Sequence, residues 1–183
     1  SLSVATSVCS FIAQMLALVS LPFLFQDRLG FSAVETGLLL TPWALAIAAA
    51  APVAGRLADR YPPGLLCSAG LIVFASGLLT LAFLPAHPGI ITIVWRMALM
   101  GTGFGLFQSP NNRAMLSAAP KSRSGGASGM LGTARLLGQT TGAAVVALLF
   151  ARLPQQGPTV ALLLASGCAL VATAVSLARL YEA

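Results

Sequence analysis

Six long apolar stretches, separated by short polar linkers, make up most of the chain. They lie at about 4–25, 37–57, 65–84, 90–108, 128–150 and 160–180. A helix needs about 20 residues to cross a hydrocarbon layer of about 30 Å, and each stretch is close to that length. The stretches lack the alternation of barrel strands, and lipid cannot satisfy an open backbone. The pattern therefore predicts an all-α membrane protein with six transmembrane helices in one bundle.

Composition and charge support this fold class and predict an orientation. Hydrophobic residues make up 57% of the chain and charged residues 8%, whereas a soluble domain carries roughly 25% charged residues. One side of the predicted bundle holds Arg56, Arg60, Arg113, Lys121, Arg123 and Arg179. The other side holds Arg28 and Arg152. Because basic residues are retained in the cytoplasm, the second-third linker, the fourth-fifth linker and both chain ends are predicted to be cytoplasmic.

The net charge of +6 therefore reflects topology. No basic-aromatic pattern accompanies it, so anionic membrane lipids are predicted as partners and nucleic acid is not. The three cysteines, Cys9, Cys67 and Cys168, all fall inside spans without metal-ligand spacing, which favours apolar packing. We predict neither a metal nor a cofactor. The chain begins without Met or a basic run, so we expect a fragment of a longer protein.

The linker GRLADRYPPG concentrates charge in a short turn. Gly55 allows a helix end to approach a neighbour closely, and Asp59 can cap a helix or pair with Arg56 or Arg60. The adjacent prolines and glycine favour a tight turn. The alternative is a solvated loop whose charges only set topology.

This linker resembles the loop signature of major facilitator superfamily transporters, G-x-L-A-D-R-x-G-x-[RK]. Pro62 stands in place of the signature's second glycine, and Gly64 in place of its basic residue. The matching positions are Gly55, Leu57, Ala58, Asp59 and Arg60. The stretches WRMALMGTGFGLFQSPNNRAML and SRSGGASGMLGTARLLGQTTGAAV resemble the fourth and fifth helices in the C-terminal half of fourteen-span drug/proton antiporters.

The resemblance implies that the chain is the C-terminal six-helix half-bundle of a multidrug efflux transporter in a bacterial cytoplasmic membrane. It implies export of lipophilic cationic compounds in exchange for protons, by alternating access with an N-terminal half. It also implies a gating role for Gly55, Asp59 and Arg60, with Asp59 acting on a helix N-terminus of the partner bundle. The glycine-rich segment 125–129 would receive the partner's loop. Export of a metabolite and a non-transporting accessory protein remain alternatives.

The first span carries polar residues on one stripe, and three later aromatic residues are candidates to line a cavity. Ser3 begins the stripe, which in a membrane faces either a watery cavity or another helix. The aromatic rings can face a flat cation or pack in the core. The predicted cavity residues are Ser7, Ser10, Gln14, Trp43, Phe104 and Phe107.

Pairs of glycines four residues apart, Gly101 with Gly105 and Gly138 with Gly142, predict close helix packing. Close packing of this kind is compatible with two alternatives, a helix interface that moves during function and an ordinary static contact. The resemblance implies that the fifth span faces the other half.

Arg96 and Arg135 are the charges inside spans, and each needs a compensating partner because an unpaired charge costs about 2.5 kcal/mol or more at mid-depth. Arg96 is close enough to an edge to snorkel, whereas Arg135 requires carbonyls, water or an acid. The acids Asp27, Glu35, Asp59 and Glu182 lie at or beyond span ends. We therefore place the coupling acid in the other half.

An intramembrane serine protease is the enzyme alternative, because Ser128 lies in a G-A-S-G segment of a six-span chain. Such an enzyme needs a histidine on a later helix to activate its serine. His87, the single histidine, precedes Ser128 and belongs to the opposite side. No catalytic residue is therefore predicted.

Overall fold

The computed structural model describes residues 2–117 and 124–178 of the chain. The helices of these two ranges are α1 Leu2–Phe23, α2 Ala33–Leu57, α3 Pro63–Ala82, α4 Ile90–Ser117, α5 Ser124–Arg152 and α6 Gly157–Ala178. A π-helical turn, Leu24–Arg28, extends α1. All six helices are long and apolar enough to cross a membrane. The predicted all-α class and six spans are confirmed.

Four charged residues used in the sequence analysis, Lys121, Arg123, Arg179 and Glu182, lie outside the described residues. Because consecutive spans alternate in direction, the α2–α3 loop and the end of α4 share one end of the bundle. This end, which holds Asp59 and Arg113, is called the predicted cytoplasmic end below.

Local signals explain where several helices begin and end. Gly30 adopts a positive φ of 74° where the chain turns after the π-helical segment, a conformation that favours glycine. Ser32 and Glu35 then form a capping box at the start of α2, which satisfies free backbone N–H groups. The fourth helix continues to Ser117, beyond the predicted end at 108. Apolar character ends near 108, but Pro110 is tolerated inside a membrane bundle and the helix continues through polar residues.

The packing pattern divides the six helices into two related sets of three. Helix α1 packs against α5 and α6, α4 packs against α2 and α3, and α3 packs against α6. Exchanging α1 with α4, α2 with α5 and α3 with α6 leaves this pattern unchanged. Because the two sets are an odd number of spans apart, they run in opposite directions, as inverted repeats do.

Helices α2 and α5 have broad uncovered faces. In the most apolar 18-residue stretch of each of these two helices 22% of the residues are buried, against 44–56% in the corresponding stretches of the other four helices. Leu38 and Leu45 on α2 are 67% and 64% exposed, and Leu136 and Leu148 on α5 are similarly open. Each of these two helices packs mainly against one neighbour, so its remaining surface is available to lipid or to another protein segment.

The predicted close approach at the paired glycines is confirmed. A Cβ atom added at Gly105 would lie 2.9 Å from the Ala50 Cβ of α2, and one at Gly101 would collide with the Trp43 carbonyl oxygen. At Gly138 and Gly142, an added Cβ would lie 2.7 Å and 2.8 Å from side chains of α1. The backbones of α4 and α2, and of α5 and α1, are therefore in direct contact.

Candidate functional site

Asp59 at the predicted cytoplasmic end forms an ion pair with Arg113. The Arg113 Nη1 lies 2.6 Å from the Asp59 Oδ1, and the two side chains are 59% and 60% exposed. Asp59 therefore pairs with neither Arg56 nor Arg60, two of the partners considered for it, because the extended α4 brings Arg113 alongside the loop. At this exposure the pair contributes about 0–1 kcal/mol to stability. The contact is weak enough to exchange for another partner.

Two of the three predicted gating residues, Asp59 and Arg60, line an open pocket of about 590 Å³ together with Val53, Arg56 and Leu57. Gly55, which precedes Arg56, does not need to be glycine for the packing within the described bundle. A Cβ atom there would lie 3.8 Å from the Ser109 Oγ, an ordinary van der Waals distance. Arg56 and Arg60 leave the pocket with a surplus of positive charge, because its carboxylate already faces Arg113.

Ser7 forms a buried hydrogen bond between α1 and α4. The Asn111 Nδ2 donates to the Ser7 Oγ at 2.7 Å, and that hydroxyl donates to the Ser3 carbonyl oxygen at 2.9 Å. The Ser10 hydroxyl donates to the Ser7 carbonyl oxygen within α1. Helix-to-helix hydrogen bonding, one of the two alternatives for this stripe, therefore accounts for Ser7 in the described bundle.

Asn111 itself was missed by the sequence analysis. It is 1% exposed, but it lies beyond the predicted end of the fourth span and was assigned to a linker. The sequence feature that could have indicated this residue is the pair Asn111-Asn112, three residues beyond Gln108. If the helix continues through these positions, a buried amide there needs a hydrogen-bond partner.

The predicted aromatic residues lie in the interior of the described bundle. Phe104 and Phe107 are 0% and 1% exposed, and the Phe104 ring centroid lies 5.3 Å from that of Phe74 and 6.0 Å from that of Phe11. Trp43 is 6% exposed and packs against Gly101. These rings pack within the core, and their contact with a substrate stays a prediction.

Two of the predicted cavity residues have polar atoms that are buried without a hydrogen-bond partner in the described bundle. They are the Gln14 Oε1 and the Trp43 Nε1. Burying the Gln14 acceptor and the Trp43 donor without a hydrogen bond costs about 1–3 kcal/mol each, because each group loses its water. A substrate or water reaching either atom would remove that cost.

The charge of Arg96 is accommodated by the end of a neighbouring helix. Its Nη1 donates to the Thr80 carbonyl oxygen at 2.6 Å, and Thr80 lies in the last turn of α3. Carbonyls in that turn have no intrahelical donor, and the helix dipole makes them more negative. The guanidinium carbon is also 5.3 Å from the Trp95 ring centroid. Arg96 therefore has a structural role in holding α3 to α4.

Arg135 has a different environment. Its guanidinium carbon lies 5.9 Å from the centroid of the Phe11 ring on α1, and its side chain is exposed. Within residues 2–117 and 124–178, the ion pair present is that of Asp59 with Arg113, so Arg135 has no carboxylate partner there. Carbonyls, water or an acid were the predicted partners of Arg135; an aromatic face, which attracts a cation more weakly than a carboxylate does, lies beside it instead.

Comparison with known proteins places the chain in a family. Residues 4–182 match the Major Facilitator Superfamily. The chain is 58% identical to the uncharacterized transporter YebQ of Escherichia coli (strain K12) over 182 residues, which cover 100% of this chain and 40% of the relative. The chain therefore belongs to the Major Facilitator Superfamily, and it is a multi-pass membrane protein.

Two more distant relatives have functional names. The multidrug resistance protein Stp of Mycobacterium tuberculosis (strain ATCC 25618 / H37Rv) is 31% identical over 146 residues, covering 80% of this chain and 27% of Stp. The riboflavin transporter RibZ of Clostridioides difficile (strain 630) is 28% identical over 145 residues, covering 79% of this chain and 32% of RibZ. The chain thus spans less than half the length of each of the three relatives.

The family is one of transporters, and the structure does not bring together the serine and histidine that the serine protease alternative requires. Ser128 lies near the start of α5, at the predicted cytoplasmic end, and His87 lies in the α3–α4 loop. That loop is at the opposite end of the bundle, because α4 separates it from α5. A full membrane span therefore separates the two side chains, which is too far for general-base catalysis.

Proposed function

We propose that the chain is the C-terminal half-bundle of a secondary active exporter, and that an N-terminal half completes the transport pathway. The uncovered faces of α2 and α5 carry this proposal, because a second bundle packed there would bury the two least buried helices. Family membership supports the same arrangement. Two bundles that rock about a site between them open it alternately to each side of the membrane.

The proposed orientation places both ends of the chain in the cytoplasm of a bacterium, with the protein in the cytoplasmic membrane. The described basic residues support it, since Arg56, Arg60 and Arg113 share one end of the bundle. Arg28 and Arg152 lie at the other. A surplus of basic residues marks the cytoplasmic side.

We assign a gating role to the α2–α3 loop. In one state Asp59 pairs with Arg113, and in the other its carboxylate faces a helix N-terminus of the N-terminal half. A helix N-terminus favours a carboxylate by about 0.3–1 kcal/mol, which is comparable to an exposed ion pair. Because the two partners are similar in strength, the loop can change between them as the bundles move.

Proton coupling requires a carboxylate that changes its protonation state within the membrane. Asp27, Glu35 and Asp59 all lie at helix ends or in a loop, so we assign the coupling acid to the N-terminal half. Two substrate classes fit the proposal. Export of lipophilic cations agrees with the resemblance and with the name of Stp, whereas export of a metabolite agrees with the name of RibZ.

The test is transport by the full-length protein in cells that lack their main efflux pumps. We expect cells carrying the whole gene to export either ethidium or riboflavin faster than vector controls. A protonophore should abolish the difference, and the 183-residue chain expressed alone should export neither compound. Transport by the isolated chain, or export that is insensitive to the protonophore, would contradict the proposal.

A further inference from the structure

We infer that Arg135 gives this half of the transport site a positive charge, which selects substrates that carry an acidic group. The inference rests on the proposed export function and narrows its substrate class. Two charges lie inside the described spans, and Arg96 already donates to the Thr80 carbonyl oxygen at the end of α3. Arg135 is left as the charge available to a substrate.

The contacts of Arg135 keep its exposed side chain beside α1. Helix α5 touches α1 at Gly138 and Gly142, and Arg135 lies at the edge of that contact. Its guanidinium group lies over Phe11, and the Phe11 ring contacts Phe104 of α4. A side chain directed into lipid would leave α1, whereas this one stays beside α1, next to a ring that also contacts α4.

Three residues of α5 that share a stripe with Arg135 are small or polar, whereas Leu131, four residues before Arg135, is apolar. Positions four, seven and eleven residues apart lie on one face of a helix. From Ser128 these positions are Gly132, Arg135 and Gln139. No other side chain lies within 4 Å of a Cβ atom added at Gly132, so the stripe is open beside Arg135.

The exposed apolar side chains of α5 lie on another stripe. Met130, Leu137 and Leu148 are 55%, 54% and 59% exposed, and they recur at helical spacing. At about 100° per residue, this apolar stripe is roughly half a turn from Arg135. Arg135 therefore belongs to the polar edge of α5, next to α1.

The chemistry of this position favours an anion. A guanidinium group binds a carboxylate, phosphate or sulfonate through paired N–H donors, and such bonds strengthen where water is excluded. Phe11 holds the guanidinium group from one side, and the open stripe leaves the N–H groups accessible. A cationic compound would meet repulsion here. An amphipathic molecule with an apolar body and an acidic group would compensate the charge that the described spans leave unpaired.

The experiment uses three probes with one ring system and different charges, 2-naphthoate, 2-naphthylmethanol and 2-naphthylmethylammonium. Binding to the purified full-length transporter is measured by competition and by the shift in its unfolding temperature. Transport is measured separately in proteoliposomes. We expect naphthoate to bind about tenfold more tightly than the alcohol. Arg135→Gln should remove this difference, and Arg135→Lys should keep part of it.

The matched control is Arg152→Gln, which removes an exposed arginine from the other end of α5 and should leave the ranking unchanged. Equal responses to the three probes, or preferential binding of the ammonium compound, would overturn the inference. So would an Arg135→Gln variant that keeps the preference and changes only the proton dependence, since Arg135 would then serve a carboxylate of the N-terminal half. Preferential naphthoate binding without transport of any probe would contradict the export function and support the role of Arg135.

Discussion

The two halves of α5 use glycine in opposite ways. In the half away from the predicted cytoplasmic end, Cβ atoms added at Gly138 and Gly142 would meet α1 at 2.7 Å and 2.8 Å. In the half at that end, Cβ atoms added at Gly129 and Gly132 would have no neighbour within 4 Å. The first half is thus built into the bundle, whereas the second has an open surface at its glycines. Glycine spacing alone does not distinguish a contact within the bundle from a surface left for another segment.

The largest expected effect is a loss of stability when the packed half of α5 is disrupted. Gly138→Ala places a methyl group 2.7 Å from both the Val8 carbonyl oxygen and the Phe11 Cβ. Because a backbone neighbour cannot move cheaply, we expect a loss of about 1–3 kcal/mol of stability. Gly129→Ala, the matched control, should raise stability by up to about 1 kcal/mol through helix propensity. Thermal unfolding of the full-length protein in detergent measures both. Equal shifts in the two variants would show that the contrast between the halves is wrong.

A smaller effect, on accessibility, would sharpen the comparison. In a cysteine-free full-length background, we expect a maleimide to modify Gly132→Cys quickly and Gly142→Cys slowly, because the latter thiol would face α1. Conditions that close the cytoplasmic side should slow the reaction of Gly132→Cys and leave that of Gly142→Cys unchanged. A Gly132→Cys rate that is the same in all conditions would place the open half of α5 against lipid, and not against a moving partner.

The smallest effect on stability is expected at the exposed ion pair beside this open surface. Asp59→Asn removes a contact whose partners are both more than half exposed, so we expect a stability change below about 1 kcal/mol. If the loop has the proposed gating role, transport should nevertheless slow severalfold. Asp27→Asn, which removes an exposed acid at the opposite end, serves as the control. Wild-type transport by Asp59→Asn would exclude the gating role.

The number and class of the helices could be predicted because they depend on local hydropathy. Helix ends were less predictable where polar residues continue a helix, as at Asn111 and Arg113 of α4. The capping box of Ser32 and Glu35 did have a local signal, a serine followed three residues later by glutamate.

Contacts between helices were harder to predict. In the contact of α3 with α6, the Ser166 and Ser176 hydroxyls of α6 donate to backbone carbonyl oxygens of α3. Every helix has such carbonyls, so the buried serines alone do not identify the neighbour. The partner of Arg96 is a backbone carbonyl at Thr80, and any helix end can supply such a group. Arg135 could be recognised as a charge in a span, but its position over Phe11 depends on how α5 crosses α1.

The π-helical turn at Leu24–Arg28 affects how this chain can be aligned with other proteins. In this turn the Leu29 N–H donates a hydrogen bond to the Leu24 carbonyl oxygen. The loop closed by this hydrogen bond contains one residue more than an α-helical turn does. One extra residue rotates the later side chains by about 100° around the helix axis. An alignment with a chain that has an ordinary turn here therefore needs a one-residue gap. Without it, Gln26, Asp27 and Arg28 would be assigned to the wrong side of the helix.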